Sequence, residues 1–167
     1  MRQLVCTLFL FTTFLSFGQK SQALDAFEAV SSNIGASIHI VKSQKHKIMI
    51  TGDTKVLPYV DFEVDRSALE IRAGKSGLDY SDISITVYAP KIQTIAMSNG
   101  GVTTMDDAFS RIPTLVVSAE DESIVDLSNI DFQTLITTSD HAKQVLYKSA
   151  QTMVSSFNSG KSVTIKN

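Results

Sequence analysis

Cysteine and tryptophan are almost missing from this chain. Its 167 residues include one cysteine, Cys6, and no tryptophan. A single cysteine cannot form an internal disulfide, and because Cys6 lies near the start, the rest of the chain has no thiolate metal ligand and no thiol nucleophile. Without tryptophan, the chain has few aromatic surfaces on which sugar rings could stack. The fold must therefore be stabilised by the burial of apolar side chains.

Excess charge of either sign is also missing. The chain has 15 basic and 17 acidic residues, which gives a net charge of -2 with neutral histidines. Nucleic-acid-binding proteins usually carry a clustered basic excess. The composition therefore argues against a nucleic-acid partner.

Long hydrophobic runs are limited to one, at the start of the chain. An almost unbroken apolar stretch over residues 4–17 follows a short basic start, a pattern typical of a secretory signal peptide. Small residues at Ser16 and Gly18 suit signal peptidase, so we predict a signal peptide over residues 1–18 and one domain over residues 19–167. The stretch is shorter than the roughly 20 residues of a membrane span, although an uncleaved anchoring helix is the alternative. The expected location is the periplasm, the cell surface or the extracellular medium, with no transmembrane segment after cleavage.

Helical periodicity is scarce, whereas apolar and polar residues alternate through most of the chain. Alternation at period two is typical of half-buried strands. The segment VDFEVDRSALEIR predicts a hairpin with one wet face, and Pro90 should end the strand ISITVYA because proline cannot donate to a ladder. On the wet face, Asp61, Glu63 and Asp65 form either a cation site or, as we favour, a solvated row paired with basic side chains.

Weak internal repeats occupy the second half of the chain. Each of four segments begins with an apolar residue, places a hydroxyl residue three positions later and continues through a polar turn into a second apolar run. The segments start at positions 95, 115, 135 and 153, and their hydroxyl residues are Ser98, Ser118, Thr138 and Ser156. Spacings of 20, 20 and 18 residues are typical of a solenoid, whose coils bury their apolar faces by stacking. Valine, threonine and serine fill the segments, which favours β-strands on every side of the coil. In such a stack the turn residues would form one column: Asn99, Asp121, Asp140 and Asn158.

The order of these features resembles a known family. The opening FEAVSSNIGASIHIVKSQKHKIMITGD, with a hairpin that ends in Gly52-Asp53, is followed by VDFEVDRSALEIR, by ISITVYAPKIQTIAMSNGGVTTM and by the repeats. This arrangement is similar to the secreted bacterial family called putative auto-transporter adhesin, head GIN domain, over residues 27–165. The resemblance implies an all-β fold, namely a right-handed parallel β-helix or β-solenoid of short coils preceded by β-hairpin units. It also implies a source among Bacteroidota-like bacteria, whose signal cleavage points are similar to the SFGQ of this chain. The family has no assigned catalytic residue, so none is carried over.

Two turns depart from the pattern of this family. Members usually carry Gly-Ser-Gly at successive turns, which the glycine-containing steps at residues 98–101 and 158–160 approach. In the middle segments, Ala119-Glu120-Asp121-Glu122 and Ser139-Asp140-His141 replace it. Because these residues adopt the left-handed conformation less readily than glycine, we expect looser loops there.

The same two turns carry the candidate ligand-facing residues, which are Glu120, Asp121, Glu122, Asp140 and His141. Stacked coils would bring the turns within about 5 to 10 Å of each other at one edge, where exposed loops often build binding sites. The simpler interpretation is a row of polar corner residues that keeps the chain soluble. No catalytic residue, metal site or cofactor is predicted.

Three functions are compatible with these observations. The first is a secreted or envelope-associated, non-catalytic binding module of the adhesion type, whose partner is a glycan, a cell-surface protein or, through the solenoid edge, a second copy. The alternative is a polysaccharide-acting β-helix enzyme, a lyase or hydrolase, which needs two carboxylates about 5 to 9.5 Å apart or a basic residue with an acid. The third is a structural accessory protein. The poverty of catalytic residue types and of aromatic subsites favours the first, so we predict that the protein is not an enzyme.

Overall fold

The computed structural model describes residues 17–141 and 144–157. Within these ranges the chain is almost entirely β-strand, as the alternation of apolar and polar side chains predicts. Two single-turn 3-10 helices, Leu57–Tyr59 and Asp107–Phe109, lie between strands. The strands are β1 (Phe17–Ala23), β2 (Ala29–Ser32), β3 (Ser37–Lys42), β4 (Lys47–Asp53), β5 (Val60–Asp65), β6 (Ala68–Ala73), β7 (Ser84–Ala89), β8 (Thr94–Met97), β9 (Val102–Met105), β10 (Ile112–Glu120), β11 (Ile124–Asp140) and β12 (Gln144–Phe157).

All twelve strands belong to one mixed sheet, which curls into a half-barrel. Eleven follow the hydrogen-bonded order β1-β4-β7-β3-β9-β11-β10-β8-β2-β6-β5, and β12 pairs with β11. The long strand β11 joins two arms, because its beginning pairs with β9 and its second half pairs with β10. We call β1, β4, β7, β3 and β9 the first arm, and β10, β8, β2, β6 and β5 the second arm.

Apolar side chains on the inner faces of both arms pack into a single core. Ile85 lies in the first arm, and Leu135 lies in the half of β11 that pairs with the second arm. Both side chains are fully buried. Along the strands of both arms, every second residue contributes to the core, and the residues between the buried ones point to the outer face. The core residues therefore appear at period two in the sequence, and this periodicity made the strands predictable.

The prediction of a right-handed parallel β-helix or β-solenoid is wrong. β4 runs antiparallel to both of its neighbours, β1 and β7, and β5 runs antiparallel to β6. The physical reason lies in short connections, such as the two residues Arg66-Ser67, which reverse the chain and can only join antiparallel strands. β11 crosses from one arm to the other within 17 residues, and its pairing with β12 shifts register between Leu127 and Asp131, where the strand passes between the arms.

The expected hairpin that ends in Gly52-Asp53 is also wrong. β3 and β4 are adjacent in sequence, but β7 lies between them and pairs with both. β7 pairs in parallel with β3 on one side and antiparallel with β4 on the other, and it thereby joins these two strands within the first arm. The hairpin over β5 and β6 is confirmed, and β7 ends at Ala89, directly before Pro90, as predicted.

Three of the four predicted segments have the expected register. Leu115 pairs with Leu135 and Leu135 with Met153, so the hydroxyl residues Ser118 and Thr138 also lie side by side. The first segment is displaced, because Ile95 pairs with Val117 rather than with the residue two positions earlier. The predicted signal segment lies outside the described residues except for its last two, which begin β1. The fourth turn, at residues 158–160, also lies outside them.

Candidate functional site

The five predicted ligand-facing residues lie together at one corner of the sheet, where β10 ends and the chain turns into β11. We call Glu120, Asp121, Glu122, Asp140 and His141 the acidic corner. The backbone N–H of Asp121 donates to the carbonyl of Asp140 at 3.2 Å, and the N–H of Glu122 donates to the carbonyl of His141 at 2.9 Å. The two turns are thus directly stacked, which is the juxtaposition that the sequence predicted.

The turn between β10 and β11 is tight, so the expectation of looser loops is wrong there. Asp121 and Glu122 have φ angles of 48° and 63°, and the N–H of Ser123 donates to the carbonyl of Glu120 at 3.0 Å. Two left-handed residues inside such a bond make a two-residue turn of the kind that normally carries Asn-Gly. The Ser123 hydroxyl also donates to the carbonyl of Gly100 at 3.2 Å. Contacts to the neighbouring turns therefore hold a conformation that glutamate disfavours.

The charges of the acidic corner are exposed to solvent. His141 Nδ1 lies 2.8 Å from Asp140 Oδ1, and the two side chains are 70% and 43% exposed. No group of three or more histidine, cysteine, aspartate or glutamate side chains in the described part of the chain could hold a metal ion. Recognition of a ligand by this corner remains a prediction.

The acidic row on β5 behaves as a solvated face, as we favoured. Arg72 Nη1 lies 2.8 Å from Glu63 Oε1, and Arg72 Nη2 contacts Glu70 on its own strand. The hydrogen bond with Glu70 raises the pKa of the Arg72 guanidinium. These contacts lie on the wet face of the hairpin, and they pair Glu63, the middle carboxylate of the row, with a basic side chain.

A second surface emerges only from the pairing of strands. The outer face of β2, β8 and residues 114–118 of β10 continues over residues 134–138 of β11 and residues 152–156 of β12, and this part of the sheet carries hydroxyl and small aliphatic side chains and no charged ones. We call it the neutral face. Its central rows join Val116, Ile136 and Val154 and, beside them, Ser118, Thr138 and Ser156. A third row contains Thr114, Thr134 and Thr152.

The neutral face is partly exposed. Val154 is 53% exposed, whereas Ile136, which has a strand on either side, is of intermediate burial. The face continues across Thr94 and Ala96 of β8 to Ala29 and to its neighbours on β2. The acidic corner lies at the ends of its strands, and Glu28 and Lys91 lie near their starts.

The outer face of the first arm is different in chemistry. His39 Nδ1 contacts Thr104 Oγ1 at 2.8 Å, and Lys47 Nζ lies 5.4 Å from the centre of the Tyr88 ring. These are ordinary contacts between neighbouring strands of a solvated sheet. His39 points to solvent, as its position opposite the apolar residues predicted.

A groove opens near the starts of β8 and β10. Its cations come from three separate parts of the chain, namely Lys42 at the end of β3, Lys91 before β8 and Arg111 before β10. The volume is about 300 Å³, and the lining includes the apolar residues Ile92, Phe109 and Ile112. Sequence reasoning missed this groove because the three cations are far apart in the chain and no motif links them.

Residues 26–163 match the family described as putative auto-transporter adhesin, head GIN domain. The chain belongs to this family. The sequence resemblance is thereby confirmed over most of the chain. Among curated proteins, none matches.

Solved structures share the fold. A putative adhesin from Bacteroides fragilis has a TM-score of 0.72 and 17% identity, over 83% of this chain and 65% of that one. A putative adhesin from Parabacteroides merdae has a TM-score of 0.68 and 16% identity, over 80% and 57%. A protein from Parabacteroides distasonis described as a putative lipid binding protein has a TM-score of 0.69 and 14% identity, over 84% and 62%.

The head GIN domain chain thus spans about 57–65% of the length of these three structures. At 14–17% identity the likeness shows the fold alone. In the described part of the chain, no helix is long and apolar enough to cross a membrane.

Proposed function

We propose that this protein is an exported, non-catalytic binding module of the adhesion type, which presents the neutral face to a glycan. Membership of a family described as adhesins supports the general class. The organisms of the structural neighbours support a source among Bacteroidota-like bacteria, and the predicted signal peptide supports export to the periplasm, the cell surface or the medium. The single observation that carries the proposal is the neutral face itself.

The chemistry of the neutral face favours binding over catalysis. Hydroxyl groups donate and accept hydrogen bonds, and the aliphatic row between them offers apolar contact, so the face suits a ligand that is itself hydroxyl-rich and uncharged. The face has no carboxylate in its central rows, whereas glycoside hydrolysis requires a facing pair. The parallel strands β2, β8, β10 and β11 have neighbours on both sides, which holds the side chains at a fixed spacing of about 4.8 Å across the rows. Such a surface is pre-organised, which lowers the entropic cost of binding.

A charge placed in the middle of the neutral face tests the proposal. Thr138→Lys projects an ammonium between Ser118 and Ser156, and Thr86→Lys makes the same change on the outer face of the first arm as a matched control. Binding is measured on a panel of neutral glycans and of bacterial and host surface proteins. We expect a glycan ligand whose affinity falls about tenfold or more in Thr138→Lys, because a polar contact is replaced by an unpaired charge. Equal loss in both variants, binding to proteins alone, or release of reducing ends from a glycan would contradict the proposal.

Self-association would use a different part of the molecule. Among the described residues, β12 pairs only with β11, and a strand edge without a partner is a template for pairing with another chain. Sedimentation velocity over a range of concentrations checks whether copies pair there. We propose the monomer as the form that binds, so Thr138→Lys should not change the sedimentation coefficient.

A further inference from the structure

The groove at the starts of β8 and β10 has a chemistry that the neutral face lacks. Its floor is formed by Ile92, Phe109 and Ile112, which are 1%, 4% and 8% exposed. Its rim carries the three cations Lys42, Lys91 and Arg111. Two of the three prolines in the chain, Pro90 and Pro113, also line it, and their fixed φ angles stiffen the rim.

Two of the cations contact other groups of the protein. Lys42 Nζ donates to the carbonyl of Ala108 at 3.0 Å and lies 5.7 Å from the centre of the Phe109 ring. A lysine ammonium has three donors, so this single bond leaves two for a ligand. Lys91 Nζ lies 3.4 Å from Glu28 Oε1, and both side chains are about half exposed. A pair at this distance and exposure contributes little, so Lys91 can turn toward a ligand at small cost.

Arg111 is the cation with the most unused capacity. Its guanidinium makes no hydrogen bond or ion pair with any of the residues that the structure describes, and its charge acts on the Asp131 carboxylate without contacting it. Asp131 is already engaged, because Lys148 Nζ and Ser149 Oγ contact its carboxylate at 2.9 and 2.5 Å. Arg111 also has a φ angle of 63°, which costs an arginine about 1 kcal/mol relative to an extended backbone. A strained backbone that presents a charged side chain is more common at functional sites than elsewhere.

We propose that this groove binds the carboxylate of an acidic sugar unit, with Arg111 and Lys42 as its donors. A planar guanidinium can donate two parallel hydrogen bonds to a carboxylate, and the apolar floor can contact the C–H face of the ring. The volume of about 300 Å³ lies at the lower limit for small-ligand sites. The groove therefore suits one unit of a longer chain, whose neutral remainder can extend over the neighbouring strands.

The inference rests on the proposed function only in taking a glycan as the ligand. The groove and the neutral face are separate surfaces, so their variants distinguish the two. If trigalacturonate binds and Arg111 variants weaken it, while no neutral glycan shows an affinity that Thr138→Lys lowers, the groove stands while the neutral face fails. If neutral glycans bind but Arg111 variants leave acidic ones unaffected, the neutral face stands while the groove fails.

Titration of the purified mature protein with trigalacturonate, followed by ligand-observed NMR at low salt, tests the groove. Galactotriose is the neutral match, and N-acetylated trialanine offers a carboxylate without a sugar. We expect Arg111→Gln to lower the affinity for trigalacturonate about tenfold, as for other charge-assisted hydrogen bonds, while Lys55→Gln, an exposed lysine between β4 and the first 3-10 helix, leaves it unchanged. Raising the salt concentration should weaken binding, because exposed charge pairs are screened.

Arg111→Gly separates binding from folding. Glycine adopts a φ angle of 63° without strain, so this variant should melt at the same or a higher temperature while it loses the affinity for trigalacturonate. Equal binding of galactotriose, equal binding of trialanine, or full affinity in both Arg111 variants would overturn the proposal. A lower melting temperature in Arg111→Gly together with lost binding would also overturn it, since Arg111 would then be needed for the fold.

Discussion

The two arms of the sheet bury similar inner faces and expose dissimilar outer ones. On the inside, branched aliphatic side chains alternate along the strands of both arms and meet in one core. On the outside, the first arm carries His39, Lys47 and Tyr88, whereas the middle of the second arm carries only hydroxyl and small aliphatic groups. Burial dictates the inner pattern because every strand needs one apolar face. The outer pattern is under no such constraint, so the difference between the arms points to a difference in use.

The largest effects should come from the inner faces, where the arms are expected to behave alike. Ile85 in the first arm and Leu135 facing the second are both fully buried, each on a strand with a neighbour on either side. We expect Ile85→Ala and Leu135→Ala each to lower the free energy of unfolding by about 3 kcal/mol, through lost transfer energy and a cavity. Urea unfolding followed by circular dichroism measures this.

Val154→Ala is the control for these two substitutions, because Val154 is 53% exposed. It should cost less than about 0.5 kcal/mol, as is usual for surface positions. If only one of the two core variants is destabilised, or if unfolding becomes biphasic, the arms would have separate cores. The two arms would then be two separately folding units, and not two parts of one sheet that share a core.

The strands of both arms could be predicted from the sequence, but the order of strands in the first arm could not. Period-two alternation locates β5 and β6, and the spacing of 20 residues places Leu115 beside Leu135. Nothing in the sequence shows that β7 inserts between β3 and β4, because the alternation specifies which face is buried and leaves the neighbour open. The predicted solenoid preceded by hairpin units failed because strands of the first half do not form a separate unit: β2 pairs with β8 and β3 with β9 inside one mixed sheet.

The candidate site was predictable to the extent that it depends on local sequence. The acidic corner lies in two turns at the predicted spacing, and strand register brings them together. The neutral face depends on the same register, yet its rows contain no charged or catalytic residue type that would draw attention in the sequence. The groove depends on connections that approach one another only through the curl of the sheet, and no local pattern predicts that.

The second largest effect should come from the turns at the ends of the strands. Gly101 has a φ angle of 86°, and a Cβ there would lie 2.5 Å from the carbonyl oxygen of Ala36. We expect Gly101→Ala to lower the free energy of unfolding by about 2 kcal/mol, since both the conformation and the contact oppose a side chain. Thermal melting measures the change.

The neighbouring turn provides a control of opposite sign. Glu122 has a φ angle of 63°, so Glu122→Gly should relieve strain and raise the free energy of unfolding by about 0.5 kcal/mol after the entropic cost of glycine. A loss of stability in Glu122→Gly would mean that its side chain makes a stabilising contact in the acidic corner. The corner would then be a structural feature rather than a candidate for binding.

Two buried threonines, one in β9 and one in β11, differ in whether the hydroxyl has a hydrogen-bond partner. Thr103 of β9 is fully buried between Ile38 and Val125, and its hydroxyl has no hydrogen-bond partner among the described residues. Thr137 of β11 is also buried, but its hydroxyl lies 2.9 Å from that of Ser155. We expect Thr103→Val to raise the free energy of unfolding by about 1 kcal/mol, because it removes an unsatisfied polar group at constant shape.

Thr137→Val should have the opposite effect and lower the free energy of unfolding by about 1 kcal/mol, since a satisfied hydrogen bond is lost. The same substitution in the two positions therefore changes sign, and chemical denaturation of the pair measures it. Destabilisation by both variants would indicate that an ordered water molecule satisfies Thr103. The inner face of the first arm would then be hydrated where the core is otherwise apolar.

The smallest effect is a dependence on pH at the middle of β11, where the two arms join. The hydrogen bond from Ser149, supported by Lys148, lowers the pKa of the Asp131 carboxyl. A folded pKa below the unfolded value of about 3.9 means that Asp131 stabilises the fold fully above that pH and loses its contribution as the pH falls through the folded pKa. Asp131→Asn should therefore melt below the wild type at pH 7, and the difference should shrink as the pH is lowered from about 5 towards 3.

Asp121→Asn controls for the change in net charge, because Asp121 lies in an exposed turn where asparagine tolerates the left-handed conformation. If the difference for Asp131→Asn persists unchanged at pH 3, the asparagine has disturbed the pairing of β11 with β12 sterically, and the charge of Asp131 does not stabilise the junction between the arms.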